Sequence, residues 1–204
     1  MEAKEIFKKF GDHYSVDERT FKMGINSRIT ARIAERFRGR RVLETCTGGG
    51  FSTISLARAA RHVTTIEIDK KNQDQARQNV AKAGLVHKVD FILGDSLDRK
   101  MLWSITDIDA AFLDPDWANS GPGHVYRFSN SNTKPPADLL LETVFHVTRN
   151  VALILPPSLP NTEFQSLPAF EMQSIYLENE HALYCLYFGD LAERIGESEL
   201  IVRE

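Results

Sequence analysis

The sequence predicts an α/β protein: a doubly wound, mostly parallel sheet of seven strands, closed by an antiparallel C-terminal hairpin and preceded by an N-terminal helical segment. Three observations carry that expectation. From residue 41 onward, short apolar runs of buried-strand type alternate with helical periodicities, the pattern of a parallel sheet covered on both faces. Near the C-terminus two apolar runs are separated only by Glu178-Asn179-Glu180, too short a link for a crossover, so that pair must be antiparallel. A chain of 204 residues is long enough for one such domain and short for two.

Each element follows from its local pattern. Residues 3–10 are helical by periodicity, and in 26–38 Ile25, Ile29, Ile33 and Phe37 recur every four residues with arginines between them. Asn26 and Ser27 are both N-cap residue types for that second helix. The stretch between, GDHYSVDERTFKMG, is polar and irregular. A first strand opens at Val42-Leu43 and ends at Gly48-Gly49-Gly50. A helix over 51–60, a strand over 62–68 and a helix over 70–84, stopped by Gly84, follow. Strands are expected at 89–93 and 108–113, a helix at 137–149, and strands at 151–155, 170–178 and 181–188. The chain thus divides into a helical extension (1–40), an α/β domain (41–190) and a tail (191–204).

Charge is unevenly spread. Residues 1–41 carry 11 Lys or Arg against 6 Asp or Glu, a balance of +5, while the remainder carries 14 against 22, a balance of −8. A basic N-terminal lobe on an acidic body is suited to steering an anionic substrate; a solvated amphipathic helix pair would look the same. Cys46 and Cys185 match no metal or redox spacing and read as buried small hydrophobes of a reducing compartment. No histidine spacing points to a metal site. The opening MEAKEIFKKF lacks the apolar core of a signal peptide, and no apolar run approaches the roughly 18 residues that span a bilayer. Cytoplasmic residence is the resulting expectation.

In an open α/β sheet the ligand lies at the carboxyl ends of the strands. Here those ends carry Glu44-Thr45-Cys46-Thr47-Gly48-Gly49-Gly50, then Glu67-Ile68-Asp69, then Gly94-Asp95-Ser96, then Asp114-Pro115-Asp116-Trp117. The glycines let the backbone turn sharply and approach a ligand where a Cβ would clash. Glu67 follows Gly48 by 19 residues, the distance at which a carboxylate accepts both ribose hydroxyls. Asp95, with Ser96 beside it, is placed to accept from an adenine amino group. Together they describe an adenosine pocket in a Rossmann-like fold. A dinucleotide fold wants G-x-G-x-x-G, and the third glycine is missing from Gly48-Gly49-Gly50-Phe51-Ser52-Thr53. Glu44 would also sit badly beside pyrophosphate, whereas a carboxylate there suits the cationic amino group of a methionine moiety. The residues therefore favour S-adenosylmethionine over NAD as cofactor.

The order ETCTGGG, IEID, GDS, DPDW resembles the class I methyltransferases, and its last element is similar to the (Asp/Asn/Ser)-Pro-Pro-(Tyr/Phe/Trp) signature of amino methyltransferases. More narrowly, FLDPDWANSGPGH with FKMGINSRITARIAE upstream resembles the trimethylguanosine synthase-like RNA cap guanine-N2 methyltransferases, over roughly residues 14–155. The resemblance implies an N-methyltransferase of an exocyclic amine, on a guanine-like base in RNA or a nucleotide. It also implies that Trp117 stacks on a cationic methylated guanine and that Asn26 and Ser27 touch the methionine carboxylate. The family's second proline is Asp116 here, which adds a carboxylate to the loop.

Chemistry accounts for the cluster. The lone pair of a conjugated exocyclic amine is drawn into its ring, and acceptors holding its two N–H groups rotate and polarise it towards the methyl group. Asp114 and the Pro115 carbonyl are assigned to that task, Trp117 to stacking, and Asp116 to accepting from guanine N1–H and N2–H. Residues 118–136, rich in Pro and Gly, form a long loop directly after the motif and read as a substrate lid carrying His124, Tyr126, Arg127 and Lys134 as candidate contacts. Two other readings share the pocket: methylation of a small-molecule or protein amine, and an adenosine-ligand binder without catalysis.

Overall fold

The computed structural model describes residues 2–117 and 124–203. The Ala118–Gly123 part of the expected lid lies outside the described residues. Two compact units result, one of residues 1–96 with 107–109, the other of 97–106 with 110–204.

The first unit opens with three short helices, α1 (Ala3–Phe10), α2 (Glu18–Met23) and α3 (Ser27–Ala34). α2 lies in the stretch expected to be irregular, and the physical reason is a local cap. Asp17 accepts from Thr20 N–H while the Thr20 hydroxyl accepts from Asp17 N–H, a reciprocal pair that starts a helix without any apolar stripe. Helix α3 tightens into a 3-10 turn over Glu35–Phe37, so the expected 26–38 helix is one α-segment and one 3-10 segment. Then come β1 (Arg41–Thr45), α4 (Phe51–Ala59), β2 (His62–Glu67), α5 (Lys70–Lys82) and β3 (Val89–Leu93). The three strands run parallel, with β2 between β1 and β3. Glu44 pairs with Thr65 and Glu67 with Leu93, so the strands present their carboxyl ends together. Asp69 caps α5 by accepting from Lys71 and Asn72 N–H, which is why the helix starts immediately after β2.

The second unit holds α6 (Arg99–Trp103), β4 (Ala110–Leu113), α7 (Ala137–Val144), β5 (Val151–Leu155), β6 (Phe170–Leu177), β7 (Glu180–Phe188) and β8 (Gly196–Val202). β4 and β5 are parallel, β7 is antiparallel to both β5 and β6, and β8 runs parallel to β6. β4 and β5 are buried along their whole length, as expected of parallel strands covered on both faces.

The Rossmann-like α/β class and the C-terminal hairpin are as expected, with two corrections. Among the described residues there is an eighth strand, and residues 191–204 are not a tail: 196–202 form β8, paired parallel with β6. Its sequence, GESELIV, alternates too weakly to read as a strand, and the pairing is secured from β6 instead. Glu171, 1% exposed, accepts from the Ser198 hydroxyl at 2.6 Å and from Glu193 N–H at 2.8 Å. Burying a carboxylate is costly unless donors satisfy it, so those donors hold the C-terminal segment against the sheet. Among the described residues no helix is long and apolar enough to cross a membrane. Ser198→Ala should destabilise the protein by about 1–3 kcal/mol, because it removes a donor from a buried charged acceptor. Urea denaturation at neutral pH measures this, and an unchanged midpoint would count against the account.

Candidate cofactor and acceptor sites

The glycine loop joins β1 to α4 by turning left-handed at every second residue. Cys46 has φ +64°, Gly48 +53° and Gly50 +80°. The glycine triplet seen in the sequence is therefore part of a longer alternating motif whose first member is Cys46. Its even spacing (46, 48, 50) is the signal that points to it. Cys46 is half-buried, not the core hydrophobe expected, and a non-glycine residue there carries conformational strain. Cys185 is buried as expected.

Glu67 fixes the loop. One of its oxygens accepts from Gly48 N–H at 2.8 Å and the other from Asp69 N–H at 2.9 Å, while the Thr47 and Thr65 hydroxyls share a hydrogen bond of 2.6 Å. Each carboxylate oxygen retains a lone pair for a further donor, as ribose hydroxyls require. Gly50 answers a second constraint. A Cβ at this position would lie 2.9 Å from the Ala76 Cβ and 3.0 Å from its Cα, so α5 approaches the loop at backbone distance.

Beneath the loop sits Glu44, 1% exposed, with the Thr53 hydroxyl donating to it at 2.6 Å. Burial pushes its carboxyl up to about 7; hydrogen bonds from Thr53 and Thr65 pull down, and the Glu67 charge pushes up. No Lys or Arg occurs in residues 42–57 or 62–69, so neither carboxylate has a cationic neighbour within its own strand or loop. Two buried carboxyls lacking one fit a ligand that brings positive charge and oppose one that brings pyrophosphate. The residues thus fit S-adenosylmethionine.

The remaining expected cofactor residues divide by exposure. Ile68, 69% exposed, and Leu93, 49% exposed, lie at the ends of the adjacent strands β2 and β3 and offer an apolar surface. Leu93 was not legible from sequence, since an apolar residue ending a strand looks like core. Asp95 is exposed and Ser96 buried. Thr45 is fully buried, and its hydroxyl has no hydrogen-bond partner among the described residues, so its side chain faces the core and only its backbone borders the loop. Asn26 caps α3 by accepting from Arg28 N–H at 2.9 Å, and the Ser27 carbonyl accepts from the Thr30 hydroxyl at 3.2 Å. Both positions are set by the helix start.

The second unit carries the motif that follows β4. Pro115 is buried, while Asp114, Asp116 and Trp117 are half-buried. Asp116 and Lys134 exchange backbone hydrogen bonds at 2.8 and 2.9 Å, closing the base of the loop. Tyr126 donates its hydroxyl to the Trp117 carbonyl at 3.0 Å, and burial and then the Asp116 charge push the phenol's pKa up. The Trp117 indole N–H is buried and has no acceptor among the described residues. His124 packs edge-on against Tyr126 with centroids 4.5 Å apart. The side chains of Arg127 and Lys134 are exposed. At the loop tip Glu163 accepts from Phe128 and Ser129 N–H, both at 3.2 Å, a restraint that a sequence 35 residues apart does not announce. Among the described residues there is no cluster of three or more potential metal ligands.

The α/β fold with its glycine loop and acidic strand ends defines a class I S-adenosylmethionine-dependent methyltransferase. Residues 39–188 match the model of the RNA cap guanine-N2 methyltransferases, and the chain belongs to that family. Its cofactor is S-adenosylmethionine. The chain is also similar to the catechol O-methyltransferase of Mycobacterium tuberculosis, 38% identical over 91 residues, which are 43% of this chain and 41% of that protein. It spans less than half the length of the curated relatives it matches. Among solved structures, a putative methyltransferase from Porphyromonas gingivalis shares the fold with TM-score 0.75 and 18% identity, over 94% of this chain and 48% of that one. The O-methyltransferase TomG of Streptomyces achromogenes, solved in complex with SAM, does so with TM-score 0.54 and 19% identity, over 91% and 86%.

Two predictions follow from the glycine loop. Gly50→Ala combines a left-handed φ with a 2.9 Å clash and should cost about 2–4 kcal/mol of stability, read by thermal melting. The folded Glu44 carboxyl titrates near 7, above the ordinary value of 4.5, so the folded state binds the extra proton. Its stabilising contribution is full below the unfolded pKa and is lost as pH rises from about 4.5 through about 7. Glu44→Gln should flatten that part of the stability–pH profile; an identical slope in wild type and variant would reject the assignment.

Proposed function

We propose that this protein methylates an exocyclic amine, on a guanine-like base in RNA or a nucleotide. The observation that carries the reading is the Asp114-Pro115-Asp116-Trp117 segment, which directly follows a fully buried strand and is tied down on its far side by Lys134 and Tyr126. A motif held this way is pre-organised, as positioning catalysis requires.

When bound, the cofactor supplies an electrophilic methyl group on a sulfonium centre. Transfer of that methyl group to the amine nitrogen would release neutral thioether, and the proton lost from the nitrogen would pass to water. Asp114 and the Pro115 carbonyl accept the two N–H groups and turn the lone pair out of conjugation. Trp117 stacks under the ring with its face, and Asp116 accepts from the Watson–Crick edge. His124 and Arg127 contact the acceptor from the loop, and Tyr126 supports Trp117 through its carbonyl. On the cofactor side Glu67 receives the ribose hydroxyls, Ile68 packs on the adenine, Asp95 and Ser96 read its amino group, and Glu44, Thr45, Gly48 and Gly50 form the floor. Asn26 and Ser27 receive the methionine carboxylate.

A second reading, a small-molecule acceptor, draws support from the −8 balance of residues 42–204 and from Asp116 in place of the family's second proline. An anionic polymer is repelled by such a surface unless it keeps to the basic N-terminal residues. The two readings separate in a methyl-transfer assay with labelled S-adenosylmethionine against guanosine, GMP, 7-methylguanosine nucleotides and short RNAs, beside catechol and simple aryl amines. Transfer to guanine nitrogen supports the proposal, and transfer only to the small acceptors replaces it with the second reading. Asp114→Ala should lower kcat by at least about 100-fold with cofactor affinity intact. Trp117→Ala should raise the acceptor KM about 5- to 100-fold, the worth of one stacked base; near-normal kinetics in either would remove that residue from its role.

A further inference from the structure

Asn79 lies in the last turn of α5, is 1% exposed, and is not part of the acidic or glycine signature. Its side chain makes three hydrogen bonds, none within its own helix. The amide nitrogen donates to the Ser15 carbonyl at 2.8 Å and to the Gly49 carbonyl at 2.9 Å, and the amide oxygen accepts from Ser15 N–H at 2.7 Å. Both N–H donors are thereby used, one on the N-terminal segment and one on the glycine loop.

The same two pieces of chain meet a second time through aromatic packing. The rings of Phe10, which ends α1, and Phe51, which follows Gly50, stack at 3.6 Å with an interplanar angle of 10°. Gly24 lies against this stack so closely that a Cβ would fall 2.7 Å from Phe51 and 2.9 Å from Phe10. Lys71 pairs with Asp17 and Lys82 with Asp12, further ties between α5 and the N-terminal segment. A surface extension would not need a saturated buried amide at its root.

We propose that Asn79 is a positioning residue for the cofactor: it fastens the N-terminal segment to the glycine loop, so that residues 10–24 set the loop's geometry and with it S-adenosylmethionine affinity. The proposal rests on the assignment of the glycine loop to the cofactor. Gly49 contributes its carbonyl, and its neighbours Gly48 and Gly50 are the left-handed residues whose backbone borders the ligand. Losing the amide frees the Gly49 carbonyl and the Ser15 backbone together, so the loop loses its restraint on the side away from Glu67.

Calorimetric titration of the full chain with S-adenosylmethionine tests this at a temperature well below unfolding. Asn79→Ala should weaken binding about ten-fold or more, the worth of one or two buried hydrogen bonds. Asn79→Asp, which keeps the acceptor but sets a carboxylate against two carbonyls, should be at least as weak. Ser15→Pro removes the N–H on the other side, and Gly24→Ala presses on the aromatic stack; each should weaken binding in the same direction. The decisive readout is non-additivity. If Asn79 acts through the segment, Asn79→Ala with Ser15→Pro binds no worse than the weaker single variant, whereas a purely structural role lets the two losses multiply. Folded Asn79→Ala with wild-type affinity, or multiplying losses, overturns the proposal. Should Asn79→Ala fail to fold, wild-type affinity in folded Ser15→Pro and Gly24→Ala overturns it equally. A wild-type chain that does not bind S-adenosylmethionine would instead remove the cofactor assignment of the loop.

Discussion

The structure of the first unit depends on a backbone constraint: between β1 and α4 the chain turns left-handed at Cys46, Gly48 and Gly50 in succession. That geometry is unfavourable for residues with a Cβ and is tolerated here because the surroundings over-determine it. Glu67 holds Gly48 from the β2 side, Asn79 holds the Gly49 carbonyl from α5, and Ala76 permits α5 to press directly on Gly50. The packing of α5, the start of α4 and the seating of the N-terminal helices all follow from satisfying one strained loop.

The second organising feature is charge held out of water. Glu44 and Glu67 are buried side by side without a cation from their own segments, and the cost appears in the raised Glu44 pKa. Under the proposed cofactor assignment a cationic ligand group would offset that cost. The second unit uses the opposite device. Its Asp114–Trp117 segment is held by neutral backbone pairing at Asp116–Lys134 and by the Tyr126 hydroxyl.

The N-terminal residues illustrate how sequence and structure part company. Their basic balance invites a reading as an electrostatic collar, and their helices look like an appendage. In the folded unit Lys71 and Lys82 of α5 pair with Asp17 and Asp12, and Lys9, its pKa lowered to about 8 by burial, donates to the Phe21 carbonyl. Part of the charge in this region is therefore structural.

By itself the sequence determined the α/β class, the order of the strands up to residue 188 and of the helices other than α2 and α6, the identity of Glu44, Gly48, Gly50 and Glu67 as a linked set, and the motif from Asp114 to Trp117. These are legible because strand and helix periodicity, glycine requirement and carboxylate spacing are properties of short windows of chain. Tertiary structure alone decided the rest. β8 exists because Glu171 needs donors 22 and 27 residues away. Glu163 pins the loop tip at Phe128 across 35 residues. Asn79 belongs with Ser15 and Gly49, 64 and 30 residues distant. Cys46 looks like a core cysteine until its φ is known. Each is a case of a polar group or a backbone angle satisfied by a partner far along the chain, and which distant partner answers a buried donor or acceptor is fixed only when the chain has packed.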